Sequence, residues 1–254
     1  MSSSLWAECD GSRSIGRLTA RASRAVEAQH VISTRKLVDS DDEQRVLEEL
    51  LDRSKPRLPR LPELSRLHYL LSTSFRYPPL PHGSRFGTRS ELGIWYGSEA
   101  LSTLFAEIAY YRLVFLEGTT GQLPRLIVEL SAFQVPIRSS RAVDLTRGTF
   151  AAHARRVSSK QSYAASQRLG RDMRGAGVET FRYTSARDPG RGSNIGVFEP
   201  RAFGARRPHS LETWICVATP NEVEVQRKDF FRRQSFRFER SAFEVRGRLP
   251  TPAC

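Results

Sequence analysis

The chain has 254 residues, 39% of them hydrophobic and 26% charged, with a mean hydropathy of −0.44; that composition supports a buried core, excludes disorder and leaves no apolar run long enough to span a membrane. Its outlying property is charge: 40 basic against 27 acidic residues, a net of +13, which invites a nucleic-acid reading. Only four of the 40 basic residues are lysine, and the surplus is spread through the C-terminal half, since residues 1–64 hold eleven of each sign, 65–137 six and five, and 138–254 23 and eleven. Residues 14–32 and 39–54 read as two helices, the second with Asp39 or Ser40 as N-cap, acidic residues in its first turn, and Val46, Leu47, Leu50 and Leu51 at helical spacing. KPRLPRLPEL, with Pro56, Pro59 and Pro62 three apart, predicts a polyproline-like connector, and FRYPPLPHGSRFG is a second breaker-rich stretch from which Arg85-Phe86 enters a strand. GIWYG (93–97) predicts a short buried strand, then Ser98 as N-cap of a long helix to about Phe115. Strands are expected at RLIVELSAF (125–133), VETFRYTS, SNIGVFEP, TWICVA and EVEVQ, with a helix over 160–175. Helices mixed with short, irregularly spaced strands give an α+β class.

The three cysteines, Cys9, Cys216 and Cys254, are far apart and form no C-x-x-C, so neither a disulfide framework nor a zinc site is expected. His30, His68, His82, His153 and His209 are scattered without an H-x-x-x-H pair, and no metal is expected. The N-terminus has no apolar signal-like region, and a reducing cytoplasm is the expected location. No zinc-finger, basic-zipper or RNP-like pattern supports direct nucleic-acid binding.

The chemistry-bearing stretches are G-S-R-F-G (83–87), W-Y-G-S (95–98) and A-E-I-A-Y-Y (106–111). Arg85 to Tyr96 is eleven residues and Tyr96 to Glu107 eleven more, which sets a guanidinium, a phenol and a carboxylate on three successive elements. Glu107 lies off the apolar stripe of its helix, on a flank with Ala100, Thr103 and Tyr110, not among lysines or arginines. A later block, F-R-Y-T-S-A-R-D-P-G-R-G-S-N-I-G-V-F-E-P (181–200), carries Ser185 and Asn194.

In order and spacing these blocks resemble the RES domain over roughly residues 66–210. The family supplies the toxin half of RES–Xre toxin–antitoxin pairs, and Ser185 stands where it places its serine. The resemblance implies an ADP-ribosyltransferase-like fold of the diphtheria-toxin type, with split sheets around an NAD cleft. It divides the chain into a helical N-terminal extension (1–64) and the RES domain (65–254). It implies an enzyme that consumes NAD⁺ as substrate, with no resident cofactor, by glycohydrolysis or phosphorolysis. The alternatives are mono-ADP-ribosylation of a protein or, in another class, a basic nucleic-acid-binding protein. The implied partner is an Xre-type antitoxin that blocks the NAD cleft; complementary charge makes the C-terminal arginines a candidate part of its docking surface.

The residue types suit that chemistry. A carboxylate, Glu107, stabilises an oxocarbenium-like ribose. A planar cation, Arg85, binds two pyrophosphate oxygens at once. Tyr96 offers a ring to nicotinamide. Ser185 contacts ribose or phosphate, or positions the acceptor, with Asn194 as its companion. The absence of Gly-x-Gly-x-x-Gly and of a Walker lysine agrees with NAD⁺ as a consumed substrate.

Overall fold

In the computed structural model, which describes residues 4–28, 37–57, 59, 61–121 and 123–251, the first long element is a strand. Leu18, Ala20 and Ala22 are buried at every second position of β1 (Gly16–Glu27), the period of a pleated strand and not of a helix. The helix expected over 14–32 is corrected accordingly, and its last residues, 29–32, lie outside the described residues, as do His30, Lys36 and Cys254. Helix occurs elsewhere in the extension, as the single turn α1 (Leu5–Glu8) and as α2 (Asp41–Ser54). The α2 start is a capping box: Ser40 Oγ accepts from Glu43 N at 3.2 Å, and Glu43 accepts from Ser40 N at 3.3 Å.

A short helix, α3 (Tyr69–Arg76), leads to the loop at 83–87, then to β2 (Trp95–Ser98) and α4 (Leu101–Gly118). Next come β3 (Leu126–Asp144), the short helices α5 (Gly148–Ala152) and α6 (Ala154–Val157), and α7 (Ala164–Gly175). The remaining strands are β4 (Thr180–Thr184), β5 (Ser193–Val197), β6 (His209–Ala218), β7 (Glu222–Arg227) and β8 (Ser235–Glu239). No helix among the described residues is long and apolar enough to cross a membrane.

Among the described residues the strands form one sheet in the order β1-β2-β5-β4-β3-β6-β7-β8, and β1 also pairs with β3, so that the first five strands close into a ring. The class is α+β. All pairings are antiparallel except β3–β4. The nineteen-residue β3 is the hub. One edge pairs with β1 from Leu130 to Ala142; the other is split, with Leu126–Gln134 on β6 and Ala142–Asp144 on β4. The split falls around Pro136, which has no N–H to offer a ladder, and its carbonyl accepts from Gly204 N at 2.7 Å. The division at residue 64 therefore runs through one sheet, with β1 on one side and its partners β2 and β3 on the other.

Helix α4 packs Phe105, Ala109 and Leu113 among Trp214, Val223 and Val225 of the β6-β7-β8 wing. Two expectations near it are corrected. Ser98 is the last residue of β2 and not an N-cap; the cap position is Ala100, which makes no side-chain cap bond. Phe115, which helical spacing from Leu101, Leu104, Phe105 and Ile108 places on the apolar stripe, is exposed. Helix α7 lies against the 83–87 loop so closely that a Cβ on Gly170 would stand 1.9 Å from the Phe86 carbonyl oxygen. Gly170→Ala is expected to cost about 1–3 kcal/mol in denaturant unfolding, because the obstacle is backbone and must move with the loop. A variant as stable as the wild type would show that this loop yields freely.

Candidate active site

The G-S-R-F-G segment is a tight loop, not the entry to a strand: Ser84 and Gly87 form an isolated bridge, and Gly83 has φ +72°, a left-handed conformation open to glycine. Gln167 of α7 donates to the carbonyls of His82 (2.9 Å) and Ser84 (3.0 Å), clamping the loop from outside. From inside it is held by Tyr96, whose hydroxyl accepts from Phe86 N at 3.1 Å and shares a 3.0 Å hydrogen bond with Ser84 Oγ. Arg85 is thereby fixed in a buried position, its Nη1 donating to the Ser159 carbonyl at 2.8 Å and its guanidinium lying 4.8 Å from the centre of the Tyr163 ring.

Burial pushes the Tyr96 hydroxyl up to about 12, against the opposing pull of its bonds to Ser84 and Phe86. The folded protein thus keeps this proton to higher pH than the unfolded chain, whose ordinary value is 10.0. The stabilisation is complete below pH 10 and is lost as pH rises toward 12. Burial shifts Tyr183 the same way. Urea unfolding across that window is expected to show stability falling with pH, less steeply in Tyr96→Phe. Equal slopes would remove Tyr96 from the effect.

The loop, β2, β5 and α4 enclose a cleft of about 440 Å³. Glu107 is the one carboxylate on its wall among the described residues, facing a lining rich in tyrosine (Tyr77, Tyr96, Tyr111, Tyr163, Tyr183) and three basic side chains, Arg24, His82 and Arg85. Two neighbours hold Glu107 through one oxygen: Ser185 Oγ donates to Oε1 at 2.6 Å and Asn194 Nδ2 at 2.8 Å. Oε2 accepts no hydrogen bond among the described residues. Asn194, paired in register with Ser98 across β2 and β5, accepts in turn from Ser98 Oγ at 2.6 Å. Ser185 also receives Arg187 N (3.1 Å) and Asp188 N (2.9 Å). Its one proton and its lone pairs are therefore all engaged, and it lies off the lining of this cleft.

Four of the residues singled out in the sequence (Arg85, Tyr96, Glu107, Asn194) line one cavity, and Ser185 stands behind it, joined to Glu107 and through it to Asn194 in one hydrogen-bonded unit. Arg24 was missed by sequence reasoning. It projects from β1 into the cleft wall, with Nη1 donating to the Tyr96 carbonyl at 3.1 Å and its guanidinium 5.6 Å from the Trp95 ring centre. Burial lowers its pKa only to about 10, so it stays cationic at neutral pH. The alternation Leu18-x-Ala20-x-Ala22 was the available signal, because it marks a strand and puts Arg24 on a definite face.

The family model described as RES domain matches residues 57–218. The chain belongs to the RES domain family. The match takes in the 83–87 loop, β2, α4 and the Ser185–Asn194 block, whereas β1, with Arg24, and both β7 and β8 lie outside it. Comparison with curated proteins finds no match to this RES domain protein. Among solved structures, a chain of the M. tuberculosis MbcT-MbcA toxin-antitoxin complex is similar to it at a TM-score of 0.44 and 10% identity, over 84% of this chain and 91% of that one.

Proposed function

We propose that this RES domain protein is the toxin of a toxin–antitoxin pair and acts by cleaving the nicotinamide–ribose bond of NAD⁺. The observation that carries the reading is the oriented carboxylate of Glu107, the one carboxylate among the described residues of a cleft that also presents five tyrosines and the cations Arg24 and Arg85. Enzymes that cut ordinary glycosides use two carboxyl groups, one of them an acid that protonates the leaving oxygen. A pyridinium leaving group needs no such acid. When the bond from the anomeric carbon to nitrogen breaks, its electron pair passes to the ring, and nicotinamide departs neutral.

One carboxylate is then enough, provided that it stabilises the oxocarbenium-like ribose left behind. Ser185 and Asn194, both donating to Oε1, hold that carboxylate still and leave Oε2 for the sugar. Both are positioning residues in this reading, a narrower role for Ser185 and Asn194 than contact with ribose or phosphate. Arg24 and Arg85 supply the positive wall for the pyrophosphate, and Tyr96 and its neighbours offer faces to the bases. Water or inorganic phosphate adds to the anomeric carbon and releases a proton, giving ADP-ribose or its 1″-phosphate. NAD⁺ is substrate here, and the action is cytoplasmic. The natural restraint is an Xre-type antitoxin covering the cleft, whose mouth carries the exposed apolar side chains Tyr77 and Leu80.

The test is incubation of purified protein with NAD⁺, with and without phosphate, and identification of the products by mass. Nicotinamide with ADP-ribose or its 1″-phosphate is expected, and Ser185→Ala is expected to lower the rate about tenfold to a hundredfold with little change in KM. Release of no nicotinamide by folded protein would overturn the reading.

A further inference from the structure

Two surfaces outside the cleft lining expose apolar side chains. At the tip of the β7–β8 hairpin, Phe230 and Phe231 are 83% and 92% exposed. The tip is built to present them: Asp229 Oδ1 accepts from Phe231 N at 2.9 Å and Arg232 N at 3.0 Å, and the two rings stand 5.4 Å apart, edge to face. Residues 228–237 carry three more basic than acidic residues, and Arg232 and Arg233 form no ion pair among the described residues. The second surface is α2. Val46, Leu50 and Leu51 are 44% to 55% exposed on it, and residues 41–54 carry four more acidic than basic residues.

We infer that these surfaces are complementary, and that the hairpin tip of one copy of this chain docks on α2 of a second copy. Three features match. The charges are opposite. Each surface has an apolar centre with a charged surround, as association sites have. The 5.4 Å between the Phe230 and Phe231 rings equals the roughly 5–6 Å between side chains one helical turn apart, the relation of Val46 to Leu50. Within one chain the tip and the helix leave each other uncovered, because both remain exposed. The association is independent of the catalytic reading.

Light-scattering mass of the full chain over a concentration series tests it. The wild type is expected to grow in mass with concentration and to dissociate in high salt. Arg232→Glu/Arg233→Glu leaves two acidic surfaces, and Glu48→Lys/Glu49→Lys sets a basic tip against a helix with no net charge, so each alone is expected to associate about tenfold more weakly or worse. Mixed, the unaltered basic tip of the second variant meets the unaltered acidic α2 of the first, and the two are expected to associate again. The changes are on exposed side chains, and recovery on mixing shows that both variants are folded. A wild type monomeric at every concentration overturns the inference, as does a mixture that stays monomeric while the wild type associates. So does a monomer that binds phosphatidylserine vesicles through Phe230 and Phe231, which would assign the tip to a membrane surface.

Discussion

Glu107→Gln is expected to lower kcat/KM for nicotinamide release from NAD⁺ by about 10³-fold or more, while the protein folds and still binds the dinucleotide. The substitution preserves size and leaves an amide oxygen able to accept from Ser185 and Asn194. What disappears is the negative charge opposite the developing cation. Binding rests on other groups, the cations Arg24 and Arg85 and the tyrosine faces, so calorimetric affinity for NAD⁺ is expected to change far less than the rate. In cells, expression of the wild type without an antitoxin is expected to deplete NAD⁺ and stop growth, and the variant to do neither. A variant that still releases nicotinamide at the wild-type rate would eliminate Glu107 from the chemistry and the proposed mechanism with it.

The second large effect concerns β1, which lies outside the segment matched by the family model. Ala22 is fully buried and pairs with Val135 of the hub strand. Ala22→Asp places a carboxylate in the ring's core with no partner, a change expected to cost about 3–5 kcal/mol, a large part of a typical domain's stability. Arg17→Asp, on an exposed position of the same strand, is the control and is expected to have little effect. Denaturant unfolding of the two variants makes the comparison. Because Arg24 hangs from the same strand, partial unfolding of β1 is also expected to weaken NAD⁺ binding before the rest of the chain melts. If Ala22→Asp unfolded at the same denaturant concentration as Arg17→Asp, residues 16–27 would be dispensable to the fold.

Part of the C-terminal arginine set is engaged in ion pairs within the molecule. Arg182 bridges Glu99 and Asp144, Arg227 pairs with Glu212 and Asp229, and Arg240 joins Glu117 and Glu244. Several of the C-terminal arginines therefore knit strands and helix ends together. Arg232 and Arg233 of the hairpin tip form no ion pair among the described residues, which leaves their charge to the inferred partner surface.

By itself the sequence picked out the candidate site residues and most of the elements around them. Two elevens of spacing and a later serine–asparagine block named Arg85, Tyr96, Glu107, Ser185 and Asn194, because side-chain chemistry and chain order are local properties. The cores of β2 to β7, α4 and α7 followed from hydrophobic period for the same reason, whereas the short α5, α6 and β8 did not. Only the tertiary structure decided three things. It made 16–27 a strand, since alanine-rich alternation is weak until β2 and β3 offer edges on both sides. It turned Ser185 and Asn194 inward onto Glu107, a contact made across 78 and 87 residues of chain, which no local pattern encodes. It brought Arg24 to the Tyr96 carbonyl from 72 residues away, because closing a ring of five strands sets the first beside the second whatever lies between them in the chain.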